Sequence, residues 1–229
     1  MRTSGGFGMR WYTVKSFGDM SLKVDFRDAR TQPGYSNGGV LVRFPDPRTP
    51  AAQTPAAWSY DWAGAGGPFP PAKHYQSDPA ATDLGLQTSC QRAIPSLIPA
   101  DWAPAWIPVV CGEEIQINDS PDGGDLDPRK TGSVYGFADL DSVRSRPTPP
   151  GVWNDLEIRV VGQHYTVIRN GAVINEYENV PGVPFPGRPN DPGSSSRGLV
   201  GYLGLQAHGG PQDVVSFRDI RVLDLSDRD

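Results

Sequence analysis

Apolar residues in this chain recur at every second position over short runs, and that period constrains the fold more than any other feature of the sequence. In Ser21-Leu22-Lys23-Val24-Asp25-Phe26-Arg27, Leu22, Val24 and Phe26 fall on one side and the charges on the other. Similar short runs cover 39–44, 114–117, 132–137 and 156–160. The run 165–174 contains Asn170-Gly171, whose tolerance of positive φ marks a type I′ hairpin. A last pair, 203–208 and 214–222, is interrupted at Gly209-Gly210-Pro211 and reads as a C-terminal hairpin. No helix of convincing length or 3.6-residue period stands out. The 27 glycines and 24 prolines among 229 residues also argue against a helical bundle, because glycine is entropically costly in a helix and proline lacks the donor. The expectation is all-β: one domain over 1–229, a sandwich of two packed antiparallel sheets.

Two stretches escape the alternation. Between 45 and 110 the chain turns to Pro, Ala and Trp, with Trp58, Trp62, Trp102 and Trp106 spread through it. That is too long and too aromatic for a passive linker and predicts an ordered excursion packed on the sandwich. The stretch 181–197 is rich in Pro, Gly and Ser and reads as a mobile surface loop. A formal charge of −5 and a pI near 5.2 remove the counterion-release term of nucleic-acid binding. No apolar run is long enough for a membrane span, and MRTSGGFGMRWY lacks the apolar stretch of a signal peptide. Cys90 and Cys111 are spaced for either a disulfide or two buried thiols and fit no zinc pattern.

The residues that carry chemistry emerge from the same alternation. If Ile115 and Ile117 face the core, Glu114 and Gln116 stand on the opposite face. If Leu203, Leu205 and Ala207 face the core, Gln206 and His208 share the other side with Gly204. Such residues can simply meet water, although Lys, Thr or Ser would suit that purpose better than Gln and His. Arg43 either joins this face or serves as a salt-bridge partner. Tyr135, between Gly132 and Gly136, either offers its ring and hydroxyl to a sugar or packs in the core. The acidic loop with Asp119, Asp122, Asp125 and Asp127 fits no EF-hand and reads as ordinary turn chemistry. His74 and His164 lack partners at a recognisable spacing, and Ser194-Ser195-Ser196 lacks a nucleophile-elbow context.

Seven segments occur in an order that resembles the 3-keto-disaccharide hydrolase family. They are Asn37-Gly38-Gly39-Val40-Leu41-Val42-Arg43, the stretch 112–119, Thr131-Gly132-Ser133-Val134-Tyr135-Gly136, Trp153-Asn154, Asn170-Gly171, Gly204-Leu205-Gln206-Ala207-His208-Gly209 and Phe217-Arg218-Asp219-Ile220. The resemblance covers nearly the whole chain, with 45–110 as the main departure. It implies a concanavalin-like jelly roll whose concave sheet binds a small-molecule sugar oxidised at its third carbon. Retaining β-glucanases of the same broad fold carry Glu-x-Asp-x-x-Glu, and 114–119 reads Glu-x-Gln-x-x-Asp. The central carboxylate is therefore an amide, which disfavours the usual nucleophile and acid pair.

A 3-keto sugar offers another route, since its carbonyl acidifies the C2 proton and permits elimination of the C1 aglycone through an enolate. Water then adds. Either Glu114 or His208 is the expected base. The other, with Gln116, Gln206 and Arg43, would hold the keto oxygen or the leaving group, and Tyr135 would touch the sugar. A divalent metal held by Glu114 and His208 is an alternative enolate stabiliser. The rival expectation is a non-catalytic carbohydrate-binding or accessory module, and a third is a structural attachment domain. The resemblance and the cysteine pair point to an exported protein.

Overall fold

The computed structural model describes residues 1–47, 103–120, 125–184, 193–194 and 197–226. Strand β1 spans Arg2–Trp11, β2 Met20–Asp28 and β3 Gly38–Phe44. Helix α1 (Ala103–Cys111) leads into β4 (Glu113–Ile117), and a single turn, α2 (Ser142–Ser145), precedes β5 (Asn154–Val161). Then come β6 (His164–Arg169), β7 (Ala172–Glu178) and β8 (Tyr202–Asp224). All ladders are antiparallel and run in the order β4-β3-β8-β2-β5-β6-β7, with β1 on β8.

The two layers share β8. Its residues from Tyr202 to Leu205 pair with β3, whereas those from Val215 to Asp224 pair with β2. Along its other edge β1 follows both halves, from Trp11 opposite Gly204 to Arg2 opposite Ser216. One layer is therefore β4-β3 with the first half of β8, and the other is the second half of β8 with β2-β5-β6-β7. Val40, Val42, Ile115, Leu203 and Leu205 from the first meet Leu22, Val24, Leu156, Ile158 and Val167 from the second in one core. This is a β-sandwich of the jelly-roll type.

The hairpin at Asn170-Gly171 forms as expected, with φ of 49° and 77° joining β6 to β7. The C-terminal hairpin does not form: 203–208 and 214–222 belong to the single strand β8. The glycines at the break produce a three-residue offset in pairing with β1 instead of a reversal. The run 132–137 is a pair of isolated bridges around a tight turn, since Gly132 (φ 89°) and Gly136 (φ 77°) break the pleat.

Helix α1 corrects the expectation of no convincing helix. Its sequence, APAWIPVVC, hides it behind two prolines; the first is tolerated in the opening turn, and Pro108 lies inside. Ile107, Val109 and Cys111 are buried, so packing holds the helix rather than propensity. Cys111 is disulfide-bonded; Cys90, the other cysteine, lies outside the described residues. Of the 45–110 excursion, Trp58, Trp62, Trp102, His74 and the side chain of Trp106 also lie outside them. The stretch 181–197 is not merely surface, because Ser194 and Arg197 are buried.

Candidate functional site

Glu114 stands opposite Leu41 of β3, Leu41 opposite Gly204 of β8, and Gly204 opposite Trp11 of β1. Cross-strand partners share a face, so this rung crosses four strands on the side away from the core. Gln116 lies two residues along β4, and Gln206 and His208 two and four residues along β8. The side chains converge: the Gln206 carboxamide hydrogen-bonds the Glu114 carboxyl, and the His208 imidazole lies within electrostatic reach of it. What lets Glu114 lean across β3 is Gly39, where a Cβ would stand 2.7 Å from Glu114 Oε1. A glycine inside a strand marks such a close approach.

Glu114, Gln116 and Gln206 are all buried, while His208 keeps about a third of its side chain in solvent at 35%. Burial pushes the Glu114 carboxyl up to about 7, against the opposing pull of His208 and of the Gln206 hydrogen bond. Gln206 Oε1 is buried and has no hydrogen-bond partner, an acceptor ready for a ligand hydroxyl. Gln116 Nε2 donates to Asn37 Oδ1. His208 Nδ1 lies 3.1 Å from Asp213 Oδ2, and Asp213 Oδ1 accepts the Asn37 N–H at 2.9 Å. Burial opposes ionisation of Asp213, but the hydrogen bonds from His208, Asn37 and Gly210 and the imidazole charge hold its carboxyl below the usual range. At the Trp11 end the face closes in aromatic rings: Trp11 meets Tyr202 edge-on at 4.9 Å and Phe44 at 5.9 Å.

Two expected members stand apart. Arg43 is not on this face: it is the extra residue where Val42 and Phe44 pair with consecutive residues of β8, at φ 54°. That bulge turns its guanidinium onto Gly18 O, Gly162 O and Asp19 Oδ1, over the buried Tyr165 ring. It is the salt-bridge partner that the alternative reading allowed. Tyr135 flanks the site through its backbone, its N–H donating to Glu114 O at 2.9 Å, and is half-buried. Glu113 points the other way, between the layers, 3.9 Å from Arg197. Burial pushes it to about 7 as well, against the charges of Arg197 and Arg43.

Asp119 takes no part in a glucanase-like constellation, since it forms a buried two-pronged ion pair with Arg169 at 2.7 and 2.8 Å. Asp127 pairs with Arg129, Asp122 lies outside the described residues, and His164 sits at the surface beside Glu178. Among the described residues no group of three or more His, Cys, Asp and Glu could hold a metal ion. A divalent cation here would rest on Glu114, His208 and the open Gln206 Oε1, and would polarise a ligand carbonyl. Reading the sequence missed Asn37, Asp213, Trp11 and Phe44. The Gly38-Gly39 pair within a strand pattern was the one signal pointing to a crowded site.

The model of the 3-keto-alpha-glucoside-1,2-lyase-like domain matches residues 72–223, about two thirds of the chain. Two crystal structures from Parabacteroides distasonis ATCC 8503, each of a "putative glycosyl hydrolase", share the fold. The first is 22% identical with a TM-score of 0.56, covering 96% of this chain and 84% of that one. The second is 16% identical with a TM-score of 0.54, covering 98% and 80%. The carbohydrate binding module CBM66 from Bacillus subtilis aligns at 9% identity and a TM-score of 0.43, covering 96% of each chain. A search of the curated proteins found no match.

Proposed function

The chain belongs to the 3-keto-alpha-glucoside-1,2-lyase-like domain family, and from that membership we propose that it cleaves 3-keto-glycosides by elimination across C1 and C2 followed by hydration. The observation that carries this reading is a carboxyl at Glu114 raised to about 7 by burial, hydrogen-bonded by Gln206 and near the His208 imidazole. A general base works best when its pKa lies near the operating pH, and an exposed glutamate is too weak for a carbon acid.

In this scheme the Glu114 carboxylate takes the C2 proton, and the C–H electrons form a C2–C3 enolate with its charge on the C3 oxygen. Collapse of the enolate restores the carbonyl, forms a C1–C2 double bond and expels the C1 oxygen, which receives a proton from His208. Water then adds to C1 and a proton returns to C2, giving the free 3-keto sugar. Gln206, with its open carbonyl oxygen, accepts a sugar hydroxyl, and Gln116 stands on the same face. The half-buried rings of Trp11 and Tyr202 at the end of this face offer a surface for stacking. The disulfide at Cys111 supports an exported protein.

Assay on a 3-keto-glucoside, with and without chelator, tests the reading. Glu114→Gln and His208→Ala should each lower turnover by roughly 10²-fold or more while thermal melting stays near wild type. Turnover that survives both substitutions overturns it, and a folded wild type that binds the sugar without turnover would mark a binding module.

A further inference from the structure

We infer that Asp213 is a positioning residue of this site, fixing the tautomer of His208 and, through Asn37, the placement of Gln116. The inference rests on the functional reading above. Asp213 follows the glycine-rich offset in β8, five residues beyond His208, and the offset folds its carboxylate back onto the ring. Gly210 makes room for this, because a Cβ there would come within 2.3 Å of Asp213 Oδ2. Both carboxylate oxygens are used. Oδ2 faces His208 Nδ1 at 3.1 Å and accepts the Gly210 N–H at 3.2 Å. Oδ1 accepts the Asn37 N–H at 2.9 Å.

An ionised carboxylate can only accept, so the proton of the bond sits on His208 Nδ1. In the neutral ring the lone pair then belongs to Nε2, the atom that must take up and deliver a proton. An isolated imidazole side chain prefers the opposite tautomer, so Asp213 decides which nitrogen does the work. Its second oxygen anchors the Asn37 backbone, and the Asn37 side chain in turn receives Gln116 Nε2. One carboxylate thus ties β8, the start of β3 and β4 into a single hydrogen-bonded chain, His208–Asp213–Asn37–Gln116. The surrounding corner is fixed independently. Asp28 accepts from the N–H and hydroxyl of Ser36, whose oxygen accepts from the Val214 N–H.

The test combines ring nitrogen NMR with kinetics on Asp213→Ala and Asp213→Asn. In Asp213→Asn the Asn37 N–H, whose bond at 2.9 Å is shorter than the 3.2 Å bond from Gly210, claims the one remaining oxygen, so the amide turns its NH2 towards His208. Both variants should therefore move the neutral ring from the Nδ1–H to the Nε2–H tautomer. They should lower kcat by roughly 10²-fold with a smaller change in KM. Asn37→Ala should leave the tautomer unchanged and act mainly on KM. If folded Asp213→Asn retains the wild-type ring spectrum, or shifts it without loss of kcat, the assignment is wrong. The spectrum needs no substrate, so a wild type inactive on 3-keto-glucosides would sink the functional reading while the tautomer still decides the role of Asp213.

Discussion

A carboxyl held near 7 leaves a thermodynamic mark. Glu113 and Glu114, back to back on β4, are both raised to about 7 by burial from an ordinary 4.5. A group whose folded pKa is raised adds stability below its unfolded pKa and loses it as pH climbs through the folded one. Stability should therefore decline between about pH 4.5 and 7, by roughly 3 kcal/mol for each group. Denaturant melts at pH 5 and pH 8 measure this, and Glu113→Gln should flatten the slope without abolishing turnover. Activity should rise over the same range as Glu114 ionises; a rate that falls there contradicts its role as base. Gly39 gives a second test at this scale. In Gly39→Ala the new methyl occupies the space of Glu114 Oε1, so the carboxyl is displaced and kcat should fall at least tenfold, while the melting temperature changes little. Wild-type kcat in that variant would show that the lean across β3 is irrelevant.

Between elements, the firmest polar link is Asp119, just beyond β4, to Arg169, at the end of β6. The pair is buried and further satisfied by Thr131, Thr148, Ser145 and Asn154. Arg169→Ala leaves the Asp119 charge buried without its partner and should cost about 3–5 kcal/mol in a denaturant melt; a loss under 1 kcal/mol would mean that water reaches the site. Such a network was invisible in the sequence, where Asp119 read as one member of an acidic turn and as the end of a Glu-x-Gln-x-x-Asp pattern. Period-2 alternation, by contrast, fixed which faces Ile115, Ile117, Leu203 and Leu205 occupy, and so placed Glu114, Gln116, Gln206 and His208 together. It failed at Arg43 because a bulge adds one residue and reverses the side-chain sense beyond it. It failed at α1 because proline at two positions masks a helix stabilised by burial.

Across the whole molecule, the site depends on one 23-residue strand serving two layers. Glycines at 209 and 210 read as a turn, and the pairing of both halves with β1 distinguishes an offset from a reversal. Strand β1 itself escaped the alternation because Gly5-Gly6 and Gly8 dilute its apolar pattern. That long-range pairing brings Trp11 and Phe44 to the end of the polar face and folds Asp213 back onto His208, contacts between residues up to 191 positions apart with no local signature. The central claim is that Glu114 removes the C2 proton before the glycosidic bond breaks. Turnover of a 3-keto-glucoside in D2O, followed by NMR of the product, measures that step directly. The account predicts a product deuterated at C2 with wild type, and both product formation and C2 exchange slowed by roughly 10²-fold or more with Glu114→Gln. A wild-type product that keeps its C2 proton through complete cleavage would contradict it.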